Sequence, residues 1–198
     1  SVLGPIVAAA AMLLLAVPPA GALAAPHRAP SYAPSAKSVS LRLGDVLQVL
    51  GRGFSAGDTR SSKPTAMGEC TSTPPVTDYT VNFMGPLRTK GVLTVISDVY
   101  TYKSAAGPVC HLKYDISENK ILGRTLGEMT TVHGVGSQAF LLDTTGPKTK
   151  EAPVYTLGLN FARGVYRALI IVQSNQKINA AELIKLGKLV DGRMRHTR

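Results

Sequence analysis

His133, Ser137 and Asp143 fall in one short segment, and they are the side-chain types a serine hydrolase uses. No G-x-S-x-G elbow surrounds Ser137, and nearness along a chain does not put three side chains within hydrogen-bond reach. His133 is therefore expected at a turn or on the surface. The same stretch, Gly134-Val135-Gly136-Ser137-Gln138-Ala139, fits the G-x-G-x-x-A fingerprint of dinucleotide sites. That fingerprint needs a helix after the turn, because the helix N-terminus holds the pyrophosphate. Ala139 to Asp143 reads as a strand, so the glycines are expected to serve a tight turn.

Cys110 and His111 are adjacent and point apart on a helix or strand, so this imidazole is badly placed to activate this thiol. The histidines His27, His111, His133 and His196 show no paired metal-ligand spacing, and no loop of alternating acids suits calcium. Asp115 and Glu118 lie three residues apart, which normally makes a solvated helix face rather than an acid/base pair. No catalytic residue, cofactor-binding residue or metal ligand is assigned.

Charge is the one global signal. Lys and Arg number 22 against 12 Asp and Glu, a formal net charge of +10. Such a chain is drawn to anionic surfaces, here an envelope polymer or a membrane surface. Lys185, Lys188, Arg193 and Arg195 form the candidate anionic-ligand face, set against the plainer reading of a solvated basic helix. Aromatic residues do not interleave with these charges, so specific nucleic-acid recognition is not expected.

The elements that must position these groups follow from periodicity. Residues 1–24 carry no charge, with an apolar run from Ile6 to Val17, Pro18-Pro19, and a small-residue end at Ala22-Leu23-Ala24. That is the pattern of a secretory signal peptide cut after Ala24, and the two prolines arrive too early for a membrane span. The usual positive leader is missing, and we read the start as clipped. No anchor is expected to remain after cleavage, and no Cys near the cut could take a lipid.

Residues 25–38, with Pro26, Pro30 and Pro34 among small polar residues, read as a linker. Residues 39–198 then form one domain. Export places the protein outside the cytosol, where thiols oxidise, and Cys70 and Cys110 are the only pair. Their bridge would close a loop of about 41 residues, worth about 4 kcal/mol in the chain-entropy picture.

Leu43, Val46, Leu47 and Leu50 define one helix face, ended by Gly51. Gly53 to Thr77 is rich in Gly, Ser, Thr and Pro and is expected to be mostly loop, with a short strand near Phe54. Tyr79, Val81 and Phe83 alternate as a strand, and Val92 to Tyr102 is apolar on both faces, a central strand. A helix is expected from Pro108 to about Ser117, with Val109, Leu112 and Ile116 on one stripe. Tyr155 to Phe161 and Val165 to Gln173 flank Arg163-Gly164 as a hairpin. Asn179 caps a final amphipathic helix whose stripe is Leu183, Leu186, Val190 and Met194. The fold class is α+β: a single domain with an antiparallel sheet, flanking helices and a C-terminal amphipathic helix.

Three segments resemble small secreted bacterial domains of PsbP-like fold, a group that includes envelope lipoproteins and extracellular sensor domains of serine/threonine kinases. They are Leu43-Gly44-Asp45-Val46-Leu47 running to Gly53-Phe54, His133 to Phe140, and Asn160 to Gly164 followed by Leu183 to Arg195. The group shares no common activity, so the resemblance implies a fold and a binding or sensing role. This chain departs from it in having no lipid-attachment Cys and no kinase domain. The leading expectation is a secreted, non-enzymatic binding or sensing domain at the cell envelope. The alternatives are a small secreted hydrolase and a partner-docking domain with a basic face for an anionic polymer.

Overall fold

The computed structural model describes residues 35–64, 68–86, 91–126, 128–144 and 155–197, with residues 119–126 and 128 described by backbone alone. The expected signal peptide, and the linker as far as residue 34, lie outside the described residues. The described residues belong to one compact unit, Tyr32–Arg198.

The first helix, α1 (Ala36–Val39), uses the last residues of the stretch read as linker, and buries Ala36 and Val39. Helix α2 (Leu43–Leu50) follows the predicted face. The Arg42 backbone N–H donates to Asp45 Oδ2 at 2.8 Å, which satisfies a donor at the helix start. Gly51, at φ +94°, ends the helix and donates its N–H to the Leu47 carbonyl at 3.1 Å.

The short strand expected near Phe54 begins at Ser55 and is longer than expected: β1 (Ser55–Ser62) has eight residues, exposed at every position except the last. It is polar on both sides and holds its place by pairing with its neighbour, so no hydrophobic alternation announces it. A 3-10 turn (Gly68–Cys70) leads to β2 (Pro75–Met84) and β3 (Val92–Tyr102). Helix α3 (Ala106–Leu126) runs well past Ser117, its expected end. Then come β4 (Glu128–Thr131), β5 (Gln138–Asp143), β6 (Tyr155–Arg163), β7 (Tyr166–Ser174) and α4 (Ala180–Arg195). The β6–β7 turn centres on Gly164-Val165, one residue later than expected, because Arg163 pairs with Tyr166.

All strand pairs are antiparallel, in the order β1-β2-β3-β7-β6-β5-β4. The chain thus starts at the β1 edge and builds inward to β3, next to the middle strand β7. Helix α3 then carries it to the opposite edge, and hairpins return it to β7. The domain is α+β, as the sequence predicts.

The pleat sorts side chains onto two faces. Val81, Phe83, Val95, Val99, Leu159, Phe161, Ala168 and Ile170 point to the face covered by α1, α2 and α4, where they join Val39, Val46, Leu183, Leu186 and Val190 in one buried core. Each fully buried aliphatic side chain contributes about 1.5–3 kcal/mol. Asn179 Oδ1 accepts from the Ala181 N–H at 3.0 Å and so starts α4. Arg193 ties α4 to α2 by reaching Asp45 Oδ1 and Oδ2 at 2.5 and 2.7 Å. The opposite face carries Asp98, Tyr100, Tyr102, Asn160, Arg167 and Leu169, and α3 lies across part of it. Among the described residues no helix is long and apolar enough to cross a membrane.

Candidate ligand cleft

Helix α3 is held to the sheet at its N-terminal half. The Cys70–Cys110 disulfide, with Cα atoms 5.9 Å apart, fastens it to the 3-10 turn. One residue on, His111 is buried against Tyr102, with ring centroids 5.2 Å apart. Burial, aided by the Arg167 cation, holds the His111 imidazole below its ordinary pKa, while Asp115 and a hydrogen bond to the Thr73 backbone pull the other way. His111 is therefore a neutral packing residue. Its Nε2 and the Tyr102 hydroxyl are buried with no hydrogen-bond partner among the described residues. Burial likewise pushes the Tyr102 pKa up to about 12.

A turn further along α3, Asp115 faces the sheet. It is not on a solvated face as expected: Asp115 Oδ2 accepts from the Arg167 guanidinium and, at 2.6 Å, from Asn160 Nδ2. Arg167 Nε also donates to Asn160 Oδ1 at 3.2 Å, which closes a three-residue ring of hydrogen bonds. The Arg167 side chain is only 7 % exposed, and its guanidinium lies 5.3 Å from the Tyr100 ring centroid. Tyr100 donates to Asp98 Oδ2 at 2.6 Å, and Thr80 donates to Asp98 Oδ1 at 2.8 Å. Burial first, then the Asp98 hydrogen bond and charge, raise the Tyr100 pKa, so it stays a donor.

Between this helix and the sheet lies a cleft of about 290 Å³. Its walls are Leu112 and Ile116 of α3, with Met129, Phe140, Leu142 and Leu169 of the sheet. Asp115, Asn160 and Arg167 stand at one side, and Glu118 joins them. The floor includes Gly158, in the interior of β6. A Cβ placed there would meet nothing nearer than 3.8 Å among its neighbours, and its φ is not left-handed. Neither backbone nor packing requires glycine at 158; what its missing side chain does is leave the floor low.

The described lining holds no Ser, Cys or His side chain. It combines apolar walls with the carboxylate, amide and guanidinium of Asp115, Asn160 and Arg167, which hold one another, and with Tyr114 and Glu118.

The sequence-derived candidates lie elsewhere. Cys70 and Cys110 form the disulfide. Lys185 and Lys188 are exposed on α4, Arg193 engages Asp45, and Arg195 engages Asp191 together with Arg163. His133 is exposed, and Ser137 Oγ donates to the Ala162 carbonyl at 3.0 Å. Asp143 lies at the far end of β5, about 17–20 Å from Ser137 by the strand rise, so the three do not converge. Gly134 and Gly136, at φ +82° and +63°, make a turn that opens a strand and not a helix. Arg167 and Asn160 were missed. The available signal was a lone Arg inside the apolar run Val165–Val172.

The fold is similar to that of the extracellular domain of PknH from Mycobacterium tuberculosis. That likeness has a TM-score of 0.58 at 11% sequence identity, and covers 81% of this chain and 95% of the other. At that identity the likeness concerns the fold alone. No protein-family model and no curated protein matches the sequence.

Proposed function

We propose that this is an exported, non-enzymatic binding or sensing domain of the cell envelope, and that its ligand occupies the cleft between α3 and the sheet. The observation that carries the reading is the pairing of an apolar-walled cleft with a half-buried polar cluster whose members hydrogen-bond one another. A site of that design holds a small molecule with an apolar body and a hydrogen-bonding head. The disulfide and the likeness to an extracellular domain support an extracytoplasmic setting. The PsbP-like resemblance, the signal peptide and the linker belong to the same reading. The hydrolase alternative receives no support from His133 and Ser137, which stand apart from the cleft lining.

Thermal-shift screening of small amphiphilic metabolites against the wild type and Gly158→Val tests the site. Valine suits a strand and would fill the floor. A compound that stabilises the wild type but not the variant is the expected result. If every stabiliser acts equally on both, the cleft is not the site.

A further inference from the structure

On the opposite face of the sheet, α1 and the start of α2 stand away from β1 and β2 and leave a groove of about 530 Å³. Its apolar base is presented by the half-buried Leu43 and Tyr79, with the buried core residues Leu41, Val81 and Phe83 beneath them. Its rim carries Lys37 and Arg42, and among the described residues no carboxylate lines it. The Lys37 ammonium lies 5.9 Å from the Tyr79 ring centroid, so a cation sits directly above the apolar base. The acid closest in sequence, Asp45, is taken up by Arg193 and by the Arg42 backbone N–H. The cations of the groove are therefore not neutralised by its own walls.

A second depression, of about 490 Å³, adjoins the first across Ser38, which lines both. It adds Lys188 and His196, with Leu189 and Gly192 between α4 and α1. Lys37, Arg42 and Lys188 thus surround one short helix, with apolar surface on both sides of it. The sequence could not show this, because Lys188 is far from the other two along the chain. Arg193 belongs to the same depression but is held by Asp45 and the Ser40 carbonyl.

We propose that this face around α1 docks on an anionic phospholipid membrane. Headgroup phosphates meet Lys37, Arg42 and Lys188, and an acyl chain enters the groove over Tyr79. Charge complementarity selects this occupant: a lipid supplies a negative head and an apolar tail in one molecule, matching a cationic rim above an apolar base. A purely polar polymer would leave the apolar base unused. The site is separate from the α3 cleft, so either can fail without the other.

Vesicle cosedimentation of the compact unit, residues 32–198, tests the proposal. The core lies wholly within that unit, and the apolar run Ile6–Val17 is then absent from the assay. Vesicles of phosphatidylglycerol and phosphatidylcholine in equal parts should bind it, and phosphatidylcholine alone should not. Reversing both rim charges, Lys37→Glu with Arg42→Glu, should weaken binding more than about 100-fold, since losing each cation near such a surface costs about 5-fold and each added acid a similar factor. Reversing Lys103 and Lys113, exposed residues outside both depressions, changes net charge equally and should cost less than about 3-fold. The milder pair Lys37→Gln with Arg42→Gln should lose an intermediate amount while keeping the wild-type melting curve.

The chain has no Trp, so Thr59→Trp puts a single reporter in the groove lining. Its fluorescence should shift to the blue on binding and be quenched by brominated acyl chains. Equal losses from the two charge-reversal pairs would mean general attraction of a basic protein and would overturn the proposal. So would an indole that stays unshifted on bound protein, or no binding to the anionic vesicles.

Discussion

Gly187 of α4 lies so close to Leu159 of β6 that a Cβ built on the glycine would stand 2.4 Å from Leu159 Cδ2. Read from sequence, this glycine only weakens a helix, by about 1 kcal/mol relative to Ala. In the fold it lets α4 settle onto the sheet, with Leu183, Leu186 and Val190 fully buried on either side. Gly187→Ala is expected to destabilise the domain by about 1–3 kcal/mol, because overpacking outweighs the gain in helix propensity. Gly192, on the same helix, has open space where a Cβ would stand, with no neighbouring atom within 4 Å. Gly192→Ala is expected to stabilise by up to about 1 kcal/mol. Urea denaturation of the two variants checks the opposite signs.

Asp115 and Arg167 form a half-buried ion pair, the Asp side chain 26% exposed and the Arg 7%. Asp115→Ala leaves the guanidinium with Asn160 and the Tyr100 ring as its partners. A loss of about 2 kcal/mol is expected, below the 3–5 kcal/mol of a fully buried pair because solvent reaches the carboxylate. Adding Arg167→Met should recover much of it. A double mutant no more stable than Asp115→Ala would show that the pair itself is not the source.

Reducing the Cys70–Cys110 bridge is expected to cost about 4 kcal/mol by the entropy of the closed loop. Denaturation of the oxidised protein against the Cys70→Ser, Cys110→Ser variant measures it. Hydrogen exchange should rise first in α3, because the bridge is what joins that helix to the 3-10 turn.

The neutral, buried His111 gives stability a pH dependence. Its pKa is lowered by burial and by Arg167 of β7, against Asp115 on its own helix and the Thr73 backbone, while Tyr102 of β3 packs on its ring. The unfolded chain therefore takes up the proton first. Stability is full above about pH 6.5 and falls as pH drops through that value toward the folded pKa. Asp191 does not confuse the window. Burial raises its pKa, but hydrogen bonds from Arg163 and Arg195 outweigh that and hold it below the ordinary 3.8, so its contribution is lost only in stronger acid. Denaturation midpoints at about pH 7.5 and about pH 5 should separate for the wild type and separate less for His111→Phe. Equal pH slopes would show that another group titrates.

Periodicity placed α2, β2, the β6–β7 hairpin and α4, because each buries one face against the core and so repeats its apolar residues at the element's own period, while β3 was legible as a run apolar on both faces. End signals such as Asn179 and Gly51 are equally local. The cystine was legible because one pair of thiols allows one pairing. Edge strand β1 was legible only at its start near Phe54; its length was not, since backbone pairing holds it and its side chains face water. The full length of α3 was not, because its later residues carry no clear apolar stripe.

The roles of the charged residues were decided by tertiary structure. Along the chain, Lys185, Lys188, Arg193 and Arg195 look like one basic helix. In space, Asp45 of α2 takes Arg193, Asp191 takes Arg195, and the two lysines remain exposed. Asp115 and Arg167 are distant in sequence and meet only because α3 crosses the sheet. Hydrophobic patterning is a property of neighbours along one element, which a sequence displays. An ion pair is a property of two elements brought together, and it exists only once the chain has folded.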